Sequence, residues 1–535
     1  MVVCGKYPMP AHVGANHLPS AARRACGKIE APERTRPPTT DNNEERRDQH
    51  PDPDPPAARG GAARGAAAMS LAEQLPSPDS ATGGGHLQRT LKRRHMQMIA
   101  LGGVIGAGLF VGSGVVIHQA GPAAVLSFAL TGALVVLVMR MLGELAAAYP
   151  AIGGFYEYNR LALGELAGFM TGWMYWYFWV IVVALEAVAG AGKLQFWFPG
   201  VPPWTFTLGL MLLFTLLNLL SVRSWGEAEY WFASIKVSAI TVFLVVGAAC
   251  VAGLWPHHAA GLDNLTSHGG FAPNGWGPVL AGAVAATGFY FGSEIVTVAA
   301  AESAEPERAV AQATQSVISR VLVFYVGSIL IVVALVPWND AGSAAPYESA
   351  LAALHIAYGR EIMNVIILTA VLSALNSGLF ASSRMLMALA RRGDAPRGLA
   401  VLNARGVPTR AILTSTLFGY VAVIMNYISP DRVFAFLVNS YGTVAIFVYL
   451  LIAFAELRLR RRLEVEAPER LRVRMWAYPY LTWVSIAAMF AILAAMAFIE
   501  ERRTELLFGV LSAGVMLVGF FLKGRGRSAP SSASL

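Results

Sequence analysis

Two glycine-rich apolar runs and a few ionisable residues set among apolar neighbours carry the chemistry open to this sequence. The first run reads Ile99-Ala-Leu-Gly-Gly-Val-Ile-Gly-Ala-Gly-Leu-Phe-Val-Gly-Ser-Gly114, with six glycines from Gly102 to Gly114. Glycine costs about 1 kcal/mol relative to alanine inside a helix, so this run invites unwinding near Gly106-Ala107-Gly108. The second run, Ala286-Thr-Gly-Phe-Tyr-Phe-Gly-Ser-Glu-Ile295, holds Gly288, Gly292 and the acid Glu294. Within a bilayer, unwound backbone is confined to protein interiors and cavities. Freed amides at a half-helix N-terminus attract a carboxylate, and freed carbonyls attract an ammonium group. Together the two runs read as the halves of a site for a zwitterion. The competing reading is close helix packing over small residues, which explains one such run more readily than two.

Each ionisable group inside an apolar span costs a few kcal/mol and calls for a reason. Glu294 adjoins the second break and is expected to line the site, either holding helix geometry or facing the amine; the alternative is a carboxylate tied to nearby amides. Lys236 lies about two turns inside its span. A desolvated lysine can carry protons, and a snorkelling lysine can instead reach the interface. Arg140 and Glu144 stand at i,i+4, a spacing that allows a helix ion pair, and are assigned a structural or gating role. Glu186 sits in an aromatic helix, Trp173-Met-Tyr-Trp-Tyr-Phe-Trp179, whose rings are expected mainly to anchor at the membrane surface. Asn376 and Ser377 offer weak polar lining or interhelical bonding.

The elements that must position these groups follow from composition. Of 535 residues, 55% are hydrophobic and 14% charged, against about 25% charged in soluble domains. That excludes a disordered chain, a nucleic-acid-binding domain and most soluble enzymes. Three cysteines at unrelated spacings, Cys4, Cys26 and Cys250, define neither a disulfide framework nor a zinc site. No Ser/His/Asp or HExxH arrangement and no Walker loop is present, so no cofactor, metal or catalytic group is expected.

Residues 1–85, polar and rich in Pro, Gly and charge, cannot offset chain entropy by burial and are expected to be disordered. They lack a signal-peptide core. Met69-Ser70-Leu71 reads as an alternative start, in which case residues 1–68 would be an over-long reading of the gene; a regulatory tail is the other reading. A membrane domain is expected over 89–525, with a short tail at 526–535. Twelve apolar spans long enough to cross the bilayer are expected. They are Met96–Ile117, Ala123–Ala148, Leu166–Ala191, Trp204–Ser221, Trp231–Leu254, Val279–Ala301, Ser316–Val336, Ile362–Ala388, Ala411–Ile428, Val433–Phe454, Tyr478–Phe498 and Glu505–Leu522. With both termini cytoplasmic, the inner loops collect Lys92 to Arg94, Arg160, Arg391, Arg392 and the cluster Arg458–Arg474, and the outer side keeps few basic residues. The net charge of +8 then reflects topology rather than an anionic partner. Breaks five spans apart suggest an inverted repeat, and inverted repeats with discontinuous midplane helices are a transporter architecture.

The sequence also resembles the amino acid permeases of the amino acid–polyamine–organocation superfamily over Leu91 to Leu522. The resemblance rests on Gly103-Val-Ile-Gly-Ala-Gly-Leu-Phe110, Gly143-Glu-Leu-Ala146, Ile235-Lys236-Val237, Phe289 through Glu294, and Leu375-Asn-Ser-Gly with Arg391-Arg-Gly-Asp394. Met139-Arg-Met-Leu142, Gly172-Trp-Met-Tyr-Trp176 and Phe271-Ala-Pro-Asn-Gly275 look most like bacterial 4-aminobutyrate permeases. The resemblance implies an all-α membrane protein with a five-plus-five inverted-repeat core, broken helices 1 and 6 and two extra helices. It also implies proton-coupled uptake across the inner membrane. By position, Gly103, Val104, Ile105, Gly106, Ala107 and Gly108 would hold the substrate carboxylate. Phe289, Phe291, Gly292, Ser293 and Glu294 would form the opposing segment, and Lys236 would match a proton-coupling lysine. The partners implied are a small zwitterionic amino acid, a proton and membrane lipid, without nucleic acid. Other substrates, such as proline or an aromatic amino acid, and nutrient sensing on a transporter scaffold remain as alternatives.

Overall fold

The computed structural model describes residues 2–4, 7–9, 91–102, 105–106, 108–149, 154–255, 262–299, 320–340, 345–356 and 358–527. Two units are distinguished, Met1–Arg59 and Gly60–Leu535. The described part of the first is an antiparallel pair, β1 (Val2–Cys4) and β2 (Tyr7–Met9), with Val2 opposite Met9. The rest of the stretch expected to be disordered, and the alternative start at Met69, lie outside the described residues.

The second unit is helical. The first span begins as α1 (Arg93–Gly102), loses helical form at Ile105–Gly106, and resumes as a π-turn at Gly108–Gly112 and α2 (Ser113–Ala120). A turn at Gly121–Ala123 leads to α3 (Ala124–Ala148). There follow α4 (Phe155–Leu163), α5 (Glu165–Gln195), α6 (Pro203–Leu220) and α7 (Val222–Val251). The sixth span is α8 (Trp276–Tyr290) and α9 (Ile295–Ala299). Beyond a π-helical stretch at Arg320–Gly327 come α10 (Ser328–Leu335), α11 (Pro346–Ala353) and α12 (Gly359–Arg392). The chain closes with α13 (Thr409–Ile428), α14 (Pro430–Asn439), α15 (Gly442–Glu466), α16 (Tyr480–Phe498) and α17 (Glu500–Arg527).

Among the described residues, ten helical stretches are long and apolar enough to cross a membrane, and Val323–Leu335 is a shorter apolar one. The stretch Gly108–Ala148 contains the end of the first span and all of the second, and each expected span contains helix in its described part, interrupted in the first at Ile105–Gly106 and in the sixth at Phe291–Glu294. The chain is a multi-pass membrane protein. Three details differ from expectation. The tenth span is interrupted between α14 and α15 at Ser440–Tyr441. The short helices α4 and α11 lie between spans, where loops were expected. Gly108–Gly112 is not a plain α-helical restart.

Depth within the bundle follows side-chain character. In α5, 83% of the apolar window is buried, and it packs along much of α12; in α17 the share is 6%. The outward faces of α6, α7, α13 and α17 present Leu212, Leu216, Val242, Val245, Ile424 and Val518. That apolar exterior suits a hydrocarbon solvent. Helices α3 and α8 are clamped by hydroxyls: Ser127 Oγ donates to the Val279 carbonyl at 2.7 Å and Thr131 Oγ1 to that of Ala283 at 2.6 Å. Gly282 makes that approach possible, since a Cβ there would lie 2.8 Å from Ser127 Oγ.

The break between α8 and α9 is a local device. Phe291 is extended (φ −67°, ψ 140°), and Gly292 turns the chain at φ +114°. An L side chain rarely adopts that φ, and strain of this kind costs about 1–3 kcal/mol. Gly292→Ala should therefore lower the thermal unfolding midpoint of the detergent-solubilised protein. Gly288→Ala should not, because its Cβ would meet nothing closer than Tyr441 at 3.4 Å. Equal midpoints for the two variants would remove Gly292 as the cause of the break.

Candidate functional site

Every buried backbone polar group freed by a helix break must find a partner, and the partners locate the site. At the sixth span the partners come from the turn itself and from two neighbouring tyrosines. Tyr325 OH donates to the Phe289 carbonyl at 3.0 Å, and Ser293 Oγ donates to that of Tyr290 at 3.2 Å. The Glu294 carboxylate accepts the Gly292 N–H at 3.1 and 3.2 Å and the Tyr449 hydroxyl at 3.2 Å. Glu294 is fully buried. Of the two expectations for it, the observed contacts are those of a carboxylate fastening its own turn.

At the first span the partner comes from another helix. Lys236 Nζ, fully buried on α7, donates to the Ile105 carbonyl at 2.9 Å and to Ser373 Oγ on α12 at 2.9 Å. The side chain points inward to the break, so it does not snorkel. Ser373 in turn donates to Glu229 Oε1 at 2.5 Å, and Asn376 Nδ2 donates to Glu229 Oε2 at 3.2 Å. Asn218 Nδ2 reaches Asn376 Oδ1 at 3.3 Å, and the Trp225 indole donates to the Asn376 carbonyl at 3.1 Å. A buried ammonium and a buried carboxylate are thus joined through one hydroxyl, which ties the broken helix to α6, α7 and α12. Asn376 serves this network rather than an open lining.

Glu186 approaches the same break from α5. A Cβ built on Gly106 would lie 3.1 Å from Glu186 Oε1 and 3.4 Å from Ala374 Cβ. The break is therefore bounded by the Glu186 carboxylate and, through Ile105, by the Lys236 ammonium. Gly103, Val104 and Ala107 lie outside the described residues.

The other glycines of the first run have a different task. Cβ atoms on Gly108 and Gly112 would fall 2.8 and 2.5 Å from the Phe289 ring. These two follow the close-packing reading, and Phe289 is the side chain they admit. Phe291 packs within a buried aromatic group, edge-on to Phe178 at 4.2 Å and tilted against Tyr449 at 4.9 Å between ring centroids. Helix α5 splits its aromatic run by face. Tyr175, Phe178 and Trp179 are buried, and Trp173 and Trp176 donate to the Asp394 carbonyl (3.3 Å) and Ser415 Oγ (3.0 Å).

The i,i+4 pair allowed for Arg140 and Glu144 is not the one formed. Glu144, fully buried, accepts from Arg460 Nη1 at 2.6 Å and from the Met475 N–H. Arg140 Nε donates to the Arg474 carbonyl at 2.9 Å, and its guanidinium lies over Trp476. Longer-range partners win because the helix end is packed against α15 and the segment after it. A second cluster at the arginine-rich end went unnoticed in the sequence. Buried Asp394 meets Arg160, Lys523 and the Tyr156 hydroxyl (2.8 Å), and Arg392 holds Glu157 through two bonds of 2.7 and 2.8 Å. It fastens α4 to the end of α12 and to α17. Glu229 was missed too. Its signal was its place seven residues before Lys236, two turns along the same face of one helix.

Among the described residues, a bundle of apolar membrane-spanning helices, discontinuous in its first and sixth spans and with buried charge gathered at the first break, has the organisation of a membrane carrier. Residues 95–524 match the amino acid permease family model, and the chain belongs to that family, which is one of permeases rather than enzymes. It is 51% identical over 438 residues to the gamma-aminobutyric acid permease of Bacillus subtilis (strain 168), covering 82% of this chain and 93% of that protein. With the gamma-aminobutyric acid permease of Escherichia coli (strain K12) it shares 45% over 432 residues, 80% of this chain and 92% of the other. The aromatic amino acid transport protein AroP of Corynebacterium glutamicum is 40% identical over 438 residues, covering 81% and 94%.

Proposed function

We propose that the chain is a proton-coupled symporter that takes up 4-aminobutyrate across the cytoplasmic membrane, with its arginine-rich end and both termini in the cytoplasm. The observation that carries the reading is the charged environment of the first break, where Lys236 holds the Ile105 carbonyl and Glu186 borders Gly106. In this reading the substrate carboxylate binds the freed amides of Gly103–Gly108, and the amine faces the sixth-span segment from Phe289 to Glu294. A proton on the Lys236–Ser373–Glu229 chain alters the hold on Ile105 and so couples to movement of the broken helix. The two halves of the five-plus-five core rock around this fixed point.

Similarity to two gamma-aminobutyric acid permeases at 45% and 51% identity supports the substrate. The relation to an aromatic amino acid transport protein at 40% keeps a different neutral amino acid as the second reading. A membrane potential of ~100 mV contributes about 2.3 kcal/mol per positive charge, or roughly 50-fold accumulation for one proton moving with a zwitterion. Labelled 4-aminobutyrate uptake into cells lacking their own carriers, challenged with excess proline, phenylalanine or unlabelled 4-aminobutyrate, separates the readings. Competition by 4-aminobutyrate alone is expected. Absent uptake of 4-aminobutyrate by inserted protein, or block by phenylalanine or proline at lower concentration than by unlabelled 4-aminobutyrate, would reassign the substrate.

A further inference from the structure

One surface of the molecule has a built shape that transport does not use. On α15, Phe454, Leu457, Arg458, Arg461 and Arg462 recur at helical spacing and face one groove of about 830 Å³. Leu163, at the end of α4, and Trp483, in the first turn of α16, form its walls. Arg460, on the inward side of the same turn, is held by Glu144 and Glu464. Arg462 is neutralised by Glu466, 3.1 Å away at both oxygens. Arg458 and Arg461 are exposed and form no ion pair among the described residues.

We infer that this groove binds one anionic phospholipid, its phosphate between Arg458 and Arg461 and an acyl chain along Phe454 and Leu457. Three features select that occupant. Along the groove the stripe passes from Phe454 and Leu457 to Arg458, Arg461 and Arg462, as a lipid passes from chain to headgroup, and Val465 and Glu466 close its far end. Seven residues from Phe454 to Arg461 span about 10 Å, enough to pass from hydrocarbon through an interfacial layer of about 5–8 Å. Trp483 is half exposed on the groove wall, and indoles of this kind favour the membrane–water interface. Two uncompensated guanidiniums beside an apolar wall complement a phosphate with attached chains better than a zwitterionic headgroup, whose ammonium they would repel.

The test titrates the purified full-length protein in mild detergent with phosphatidylglycerol, or with phosphatidylcholine of the same chains, and reads retained lipid by native mass spectrometry. One phosphatidylglycerol should remain bound at concentrations where phosphatidylcholine is lost. The double variant Arg458→Gln, Arg461→Gln should weaken retention about 30-fold, and Glu466→Gln, which frees Arg462, should strengthen it about fivefold. Arg223→Gln, another exposed arginine of the same end, should change nothing. Equal retention of the two lipids, equal loss in Arg223→Gln and the double variant, or displacement by free glycerol phosphate at the same concentration as the lipid would each overturn the proposal. The opposite sign expected for Glu466→Gln keeps the test decisive even where the double variant folds poorly.

Discussion

Replacing Gly106 with leucine should abolish uptake while the protein still reaches the membrane. A Cβ at this position would already stand 3.1 Å from Glu186 Oε1 and 3.4 Å from Ala374 Cβ. The remaining leucine atoms must then displace the carboxylate or the backbone of the break. Misplacing a binding or reacting group by about 1 Å can lower a rate about 100-fold, and the expected loss is at least of that order. Gly106→Ala asks only for a shift of a few tenths of an ångström and should retain partial uptake. The check is initial uptake rate normalised to membrane-inserted protein. Normal uptake by Gly106→Leu would mean that substrate does not bind at this break.

The second large effect belongs to Lys236. Lys236→Met removes the donor to Ile105 and leaves Glu229 buried beside Ser373 without its cation. The two charges meet only through the Ser373 hydroxyl, so the loss is expected to fall below the about 3–5 kcal/mol of a broken direct ion pair, most of which is the charge left behind. The variant should unfold at a markedly lower temperature, and any uptake that survives should be insensitive to a protonophore. Adding Glu229→Gln removes the stranded charge, so the double variant should recover much of the stability and none of the coupling. A cycle over the two sites measures the interaction directly. Additive losses would show that the two groups act independently. A single variant with wild-type proton dependence would show that Lys236 is a strut.

These expectations show how far the residues speak for themselves. The bundle was legible because each span needs about 20 apolar residues whatever its tertiary partners. The breaks were legible because glycine acts on the backbone locally. Gly292 adopts a φ that only its own residue type explains. Division of labour among the glycines was not legible. Gly106 borders a carboxylate and Gly108 accommodates Phe289, and nothing in a chain of alternating glycines separates the two tasks before the helices pack.

Charged partners were the least legible. Arg140 and Glu144 suit each other by spacing, but the fold brings Arg460 to Glu144 from 316 residues away, and the carbonyl of Arg474 to Arg140. Lys236 was visible as a buried lysine, but its contacts lie on the first span and on α12. Glu229 and Asp394 look like interfacial acids when each helix is read alone. Their burial arises only from the packing of α7 against α12, and of α4 and α17 at the end of α12. Long-range pairing carries no local signature, so the sequence marked which groups needed partners without saying which would meet.

The central claim is that the charged first break couples movement of 4-aminobutyrate to movement of a proton. It is tested most directly with the purified protein in sealed liposomes, loaded so that an inward proton gradient can be imposed. Labelled 4-aminobutyrate should accumulate inside above its outside concentration, and a protonophore should collapse it to equality. Uptake that only equilibrates, with or without the gradient, would contradict proton coupling and leave a facilitator. No 4-aminobutyrate uptake by folded, inserted protein would contradict the substrate.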